Sequence, residues 1–470
     1  MDQLRFKIEK KNLKLNNFLE VSSTNTKTGI QTEFQGVQYP IIFGEKIWSL
    51  TPKQTCEALK DNLILATTMH LPLVYNKKKI IYDSGRPLLE PYFLQNFLKD
   101  IPSCTEVDEL NTDTVINQFL NTEFQFLNPE IVFPSEKPVE DAYKALIGMS
   151  FGKDSLLTYA VANEINLEPE IIYVVEQSLT YEEKHKKILA KEFKKEFAKE
   201  LNVLTHETGK LRDYNYLNLP KSEFGWGLQN TEYALEFIPF AYALNGKYIF
   251  FGNEQTTAAS YMDSSNRWLI YPAYDQSHLW TVHINQITQI FSGHSVITGS
   301  LIEPLMDMMI QRILVNRYPE IAKYQMSCFT ENEFGRDYRW CHNCSVCTKM
   351  YLLCIGSGIN PKLIGLKIDM LQKGYKNYFT LFGGKSKLTY ANTDIARDEQ
   401  LFAFYSATKK GAKGDLIDEF KTSSLFEEAK FREDELFNKF CSIYEPITLP
   451  KELRKEILSI YKEELSLFEL

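Results

Sequence analysis

The 470-residue chain reads as an α/β protein: a parallel sheet with crossover helices, preceded by an N-terminal α+β domain and followed by a C-terminal helical extension. Two observations predict this. From about residue 143, short apolar stretches alternate with longer helix-patterned ones, which is the sequence form of parallel strands joined by helices. The first of those stretches, Ala145-Leu146-Ile147-Gly148-Met149, runs straight into Ser150-Phe151-Gly152-Lys153-Asp154-Ser155 and then into a helix-like segment, 156–162. A buried strand that turns sharply into a helix N-terminus aims free backbone N–H groups and a positive dipole end at one spot.

In chain order, residues 41–43, 63–66 and 79–82 are strand-like, 88–98 and 115–120 are helix-like, and 128–138 carries three prolines and reads as a linker. The regular part follows, with strands expected at 144–149, 170–175, 202–205 and 247–251 and helices at 155–165, 181–201 and 229–244. Ligands of such sheets bind beyond the carboxyl ends of the strands. The positions to watch are therefore the loop at 150–155, Glu176-Gln177, His206-Glu207 and Gly252-Asn253-Glu254. An amphipathic helix is expected at 300–315. Past Pro361 the chain becomes helical and charged, with a turn at 379–384 and helices at 431–440 and 451–467. The expected divisions are 1–140, 141–361 and 362–470, in keeping with a length of two or three domains.

Composition narrows the function classes. With 44% hydrophobic and 24% charged residues, the chain resembles an ordinary globular protein with material for a large core. A net charge of −8 and a pI near 5.6 argue against a nucleic-acid-coating protein, so no direct nucleic-acid binding is expected. The start, Met1-Asp2-Gln3-Leu4-Arg5-Phe6-Lys7, lacks a secretory leader, and no apolar run reaches the ~18 residues of a membrane span, so a cytoplasmic location is expected. His70, Asp83 and Arg86 read as surface and turn positions.

The loop at 150–155 carries a phosphate cradle. Gly152 lets backbone approach a ligand, Asp154 or Ser155 is placed to cap the following helix, Lys153 adds a cation, and the Ser150 and Ser155 hydroxyls add donors. The spacing is not that of a Walker loop. Gly252-Asn253-Glu254 ends a buried strand, with Gly252 free for approach to a flat ring and Asn253 and Glu254 suited to an edge bearing donors and acceptors. They read equally as loop polar groups facing water. Asp263, behind Tyr261, adds another carboxylate, the natural acceptor for a guanine-type edge. The helix at 181–201 has the charge pattern of a solvated face, with His185 inside it. Four of the eight cysteines, Cys328, Cys341, Cys344 and Cys347, include a Cys-x2-Cys-x2-Cys run. Four thiolates suit a closed tetrahedral Zn²⁺ site of structural role, and they also suit an iron–sulfur cluster. His342 is redundant there as a ligand. Cys56, Cys104, Cys354 and Cys441 read as buried small apolar residues.

Ser150-Phe151-Gly152-Lys153-Asp154-Ser155 resembles the PP-loop of the ATP pyrophosphatases, whose pattern is Ser-Gly-Gly-x-Asp-Ser. Phe151 stands where the first Gly is usual and limits positive φ. The loop together with His185, Gly252-Asn253-Glu254 and the cysteine run resembles 7-cyano-7-deazaguanine synthase (QueC-like) proteins over roughly residues 143–360. That resemblance implies an adenine nucleotide alpha hydrolase-like fold and adenylation of a 7-carboxy-7-deazaguanine-like acid by ATP. Pyrophosphate would leave and an amine would take the acyl group. It implies that Ser150, Phe151, Gly152, Lys153, Asp154, Ser155 and Gly252 bind ATP and Mg²⁺, with Lys153 and Asp154 catalytic. Asn253, Glu254, Asp263 and His185 would lie near the base, and the four cysteines would hold Zn²⁺. Two features depart from the synthase. Residues 1–140 and 362–470 have no place in it, and Gly299-Ser300-Leu301-Ile302-Glu303 stands where a Ser-Lys pair is expected. Extended QueC-like proteins occur in bacterial antiviral cassettes (type IV CBASS and Qat), which implies a protein amine encoded in the same cassette as a possible acceptor in place of ammonia. The alternatives are a housekeeping synthase of queuosine or DNA-base biosynthesis and a nucleotide-binding scaffold without turnover. A tRNA thiolase would need a cysteine near the loop.

Overall fold

The computed structural model describes residues 17–176, 180–328, 333–384 and 389–468. Its strands are β1 (Phe18–Asn25), β2 (Gly29–Phe34), β3 (Val37–Ile42), β4 (Lys79–Asp83), β5 (Glu123–Phe126), β6 (Lys144–Gly148), β7 (Glu170–Val175), β8 (Leu201–His206), β9 (Gly246–Phe250), β10 (Tyr261–Met262), β11 (Leu269–Ile270) and β12 (Ile297–Gly299). Ten of them form one sheet in the order β12-β9-β6-β7-β8-β3-β2-β1-β4-β5, and β10 and β11 form a separate hairpin.

The five strands from β12 to β8 are all parallel. Numbered within that unit their order is 3-2-1-4-5, and the winding direction reverses between β6 and β9. That reversal opens a crevice at the carboxyl ends of these two strands, the usual ligand position in open α/β sheets. The expected α/β class with a mostly parallel sheet and crossover helices is what the chain adopts. The N-terminal strands extend this same sheet: β3 lies antiparallel to β8, with Ile41 opposite His206 and Ile42 opposite Thr205. β2 and β1 continue antiparallel, and β4 and β5 return to parallel pairing.

Strand alternation divides the core into two layers. Ala145, Ile147, Ile171, Tyr173, Tyr248 and Phe250 face a layer shared with the helix after the loop, the cysteine-rich segment and the C-terminal helices. Leu146, Ile172, Leu204 and Ile249 face the opposite layer, shared with the N-terminal helices and the helix His278–Phe291. The C-terminal extension thus covers one face of the sheet, and the N-terminal helices help cover the other.

Several expected elements change. Residues 63–66 lie inside the helix Lys53–Thr68 and form no strand; its Leu59, Leu63, Ile64 and Leu65 are all buried, and a short continuous apolar run does not tell a buried helix from a strand. The helix expected at 229–244 is two, Gln229–Glu236 and Ile238–Leu244, with Pro239 in the first turn of the second. The helix expected from 300 starts only at Asp307 and runs to Arg317. That expected at 431–440 is the helix Glu433–Phe440, preceded by another, Ser424–Phe431. His70 is buried, with Nε2 3.0 Å from the Leu211 carbonyl, and is no surface position. Among the described residues no helix is long and apolar enough to cross a membrane.

Candidate functional site

The loop after β6 sits at the winding reversal. Phe151 adopts φ 60°, so the left-handed conformation is present although the residue is not glycine. Its ring compensates: fully buried, it packs edge-on against Tyr173 and Phe193, and its carbonyl accepts from Met326 N–H at 2.7 Å. Ser150 N–H donates to Ser155 Oγ and Gly152 N–H to Ser150 Oγ, each at 3.2 Å, which closes the turn. The N-cap of the helix Lys153–Glu164 is Gly152, and neither Asp154 nor Ser155 caps it as expected. With no side-chain cap, the first-turn N–H groups are left for a ligand or water.

Lys153 is buried and reaches two carboxylates, Asp154 Oδ1 and Asp307 Oδ1, each at 2.5 Å. The other Asp307 oxygen takes the ammonium of Lys349, which also pairs with Glu399 at 3.0 Å and lies 4.5 Å from the centre of the Tyr390 ring. Burial opposes the charge on Lys153, yet Asp154 and Asp307 outweigh it and hold the ammonium above its ordinary range. Burial likewise opposes the charge on Asp307, and the two lysines hold that carboxylate below its ordinary range. Glu254 forms no direct ion pair among the described residues, and the Lys153 charge offsets only part of its burial. Burial, with Asp307 nearby, pushes it up to about 8, although the Thr256 N–H (2.5 Å) and hydroxyl donate to it. Lys153, Glu254, Asp307, Lys349 and Tyr390 line a cleft of about 350 Å³, joined from elsewhere in the chain by Asp100, Cys104, Glu223 and Trp226.

Asp307, Lys349, Glu399 and Tyr390 were not singled out by sequence reasoning. Only Lys349 carried a signal, two residues past the last cysteine of the run. The other expected residues separate. Gly252 belongs to the site by packing: a Cβ there would lie 2.6 Å from that of Asp154 and 3.1 Å from Ser155 N, so the room it leaves is filled by the loop and not by a ring. Asn253 is buried and donates to Thr281 Oγ1 at 3.1 Å, a core contact away from the cleft lining. Asp263 organises the hairpin turn between β10 and β11, accepting from Ser265 Oγ (2.5 Å), Arg267 N (2.8 Å) and Trp268 N (3.0 Å), and is not among the lining residues. His185 is buried and pairs with the Gly335 carbonyl at 2.7 Å, tying its helix to the cysteine-rich segment. Gln177 lies outside the described residues. Glu303, in the stretch Gly299–Glu303, accepts from Ile447 N at 2.9 Å and Thr448 N at 2.6 Å and anchors the C-terminal extension.

Cys328, Cys341, Cys344 and Cys347 come together, with all four Sγ atoms within 4.8 Å of one another. Cys344 caps the helix Ser345–Gly356, its sulfur accepting from Cys347 N at 3.4 Å, and Cys341 Sγ accepts from Asn343 N at 3.4 Å. Thiolates that accept backbone N–H bonds around a shared centre suit a tetrahedral metal, so this donor set fits Zn²⁺. His342 turns away and accepts from Lys367 N at 3.1 Å. The capped helix carries Lys349 from the cysteine cluster to Asp307. No family model, curated protein or solved structure matches the chain.

Proposed function

We propose that the protein is an ATP-dependent ligase that forms C–N bonds, producing AMP and pyrophosphate. The observation that carries this reading is the uncapped helix end beside Lys153 at the winding reversal, with Lys349 held alongside through their shared Asp307. An anion there meets backbone N–H groups, a helix dipole and two ammonium groups. Lys349 supplies the cation that the stretch Gly299–Glu303 lacks. A carboxylate oxygen of the substrate attacks the α-phosphorus, the bond to the β-phosphate oxygen breaks, and pyrophosphate leaves. A neutral amine then attacks the acyl adenylate, releases AMP and gives up a proton to form the amide. Lys153 neutralises phosphate charge and Asp154 orients it. Asp154, Asp307 and Glu399 outnumber the two lysines, which supports a nucleotide that arrives with its own Mg²⁺; Asp154 and Asp307 would flank the ion, and it would screen phosphate charge.

By resemblance, the activated acid is a 7-carboxy-7-deazaguanine-like base, the acceptor is ammonia or a protein amine of the same cassette, and the setting is antiviral defence. The cysteine cluster holds Zn²⁺ as a structural knot. With Mg·ATP and a panel of acids, the deazaguanine acid should give AMP and pyrophosphate and unrelated acids should not. ADP and orthophosphate as the only products would refute the ligase. Equal turnover with every acid would reject the substrate alone.

A further inference from the structure

The cleft has two chemically different walls. One holds the lysines. The other is built from Trp226 and Glu223, with Asp100 and Cys104 contributed by the helix Glu90–Val107. Among the described residues Tyr390 and Trp226 are the two aromatic rings lining the cleft, and the Lys349 ammonium already lies against Tyr390. Trp226 also carries a cation, the Arg212 guanidinium, but Arg212 stands outside the cleft lining whereas Lys349 is itself a lining group, so Trp226 is the ring the cleft offers to an organic ligand.

The segment that carries Trp226 is held from several sides. Asp108 accepts from Ser222 Oγ at 2.6 Å and from Glu223 N at 3.1 Å. Tyr214 donates to the Phe224 carbonyl at 2.6 Å, and Arg212 donates to the Gly225 carbonyl at 3.1 Å. Gly225 has φ 101°, and a Cβ there would meet the His70 ring at 2.9 Å. The Arg212 guanidinium lies 4.8 Å from the centre of the Trp226 ring. It is fixed in turn by Glu176 at 2.6 Å and Glu232 at 2.9 Å, among buried groups that also include His206 paired with Glu236 at 2.7 Å. Burying so many charges is costly, and the pairing of opposite charges offsets part of that cost, with Glu232 Oε1 and Glu236 Oε2 left without a hydrogen-bond partner. Its product at the cleft is a half-buried indole on a braced backbone with a guanidinium against its ring. A preorganised flat surface is what stacking on a ring requires.

We propose that Trp226 is the stacking platform for a planar heteroaromatic base, with the Asp100 and Glu223 carboxylates beside it to accept from N–H groups on the base edge. This rests on the ligase reading for its place in the reaction, since both the nucleotide and the proposed acid carry such a base. Phosphate-free probes test it apart from the phosphate chemistry. Adenosine and 7-deazaguanine are titrated into the whole protein while tryptophan fluorescence is followed. Quenching by adenosine assigns the platform to the nucleotide, and quenching by 7-deazaguanine assigns it to the acid. Trp226→Phe should remove the ligand-linked quench while keeping affinity within a few-fold. Trp226→Leu should weaken binding about tenfold or more. The other tryptophans, Trp48, Trp268, Trp280 and Trp340, do not line the cleft. Binding of neither probe, a quench retained in Trp226→Phe, or unchanged affinity in Trp226→Leu each overturns the proposal. If Trp226→Leu does not fold, the Phe variant decides. Base binding without AMP formation would sink the ligase and leave the platform standing; AMP formation with unchanged affinity in Trp226→Leu would do the reverse.

Discussion

Lys349→Met, Glu399→Gln and the double variant form a cycle that tests how the C-terminal region is joined to the site. The Lys349–Glu399 distance is 3.0 Å, and Glu399 is almost wholly buried. At an effective dielectric of about 20 the Coulomb attraction is about 5 kcal/mol, most of it offset by desolvating both ions. Removing the ammonium leaves Glu399 buried without its cation, while Asp307 keeps Lys153. Loss of one partner of a buried pair costs about 3–5 kcal/mol. The Lys349 side chain is 23% exposed and water relieves part of that, so about 2–4 kcal/mol is expected in urea unfolding. Glu399→Gln removes the stranded charge, so the double variant should recover about 1–3 kcal/mol relative to the sum of the singles. Single effects that add within about 0.5 kcal/mol would refute the pairing. Mg·ATP affinity provides the functional arm. Losing a charge-assisted phosphate contact of about 1.5–3 kcal/mol should raise Kd about tenfold or more in Lys349→Met, and Lys349→Arg should restore part of it.

Metal analysis of the purified protein should find one Zn²⁺ per chain, and Cys341→Ser should lose it together with thermal stability; a metal-free, fully folded protein would sink the assignment. Gly252→Ala puts a methyl 2.6 Å from the Asp154 Cβ, and should cost about 1–3 kcal/mol and weaken ATP binding, with wild-type affinity as the contrary result. Phe151→Ala empties a fully buried site and should cost about 3–5 kcal/mol, but Phe151→Gly, freed of the left-handed strain at φ 60°, should be no worse; a Gly variant clearly less stable than the Ala one would show that the conformation carries no strain. The Glu254 carboxyl is pushed up from 4.5 to about 8, so its contribution is fully present below 4.5 and is lost as pH rises through 8. Glu254→Gln should therefore match wild type near pH 5 and exceed it by roughly 2–4 kcal/mol at pH 9 in melting curves; equal stability at both values would contradict the burial of that charge.

What was legible in the sequence is what is local. β7 occupies the expected 170–175, and the cysteine run closes because three of its thiols sit within seven residues. The loop was legible because strand, turn and helix follow one another without interruption. What was missed is nonlocal. Lys153, Asp307, Lys349 and Glu399 come from four separate helices, and no spacing rule links them. Asp263 holds a turn away from the cleft lining, because a carboxylate followed by Ser264-Ser265-Asn266 serves turn geometry as readily as recognition. The sequence signals no strand at β1, half of whose residues carry hydroxyl or amide side chains, and its pairing with β2 and β4 emerges only in three dimensions. The flanks that the resemblance leaves without a role then acquire one. Asp100 and Cys104 come from the first region, and Tyr390 and Glu399 come from the last. The loop contributes Lys153 to the cleft, but Asp100, Cys104 and Tyr390 in its lining and one partner of Lys349, Glu399, come from outside the resembling segment. On the ligase reading, a chain cut back to residues 143–360 would keep the loop and the four thiols yet lose lining from both flanks that would help exclude water from an acyl adenylate.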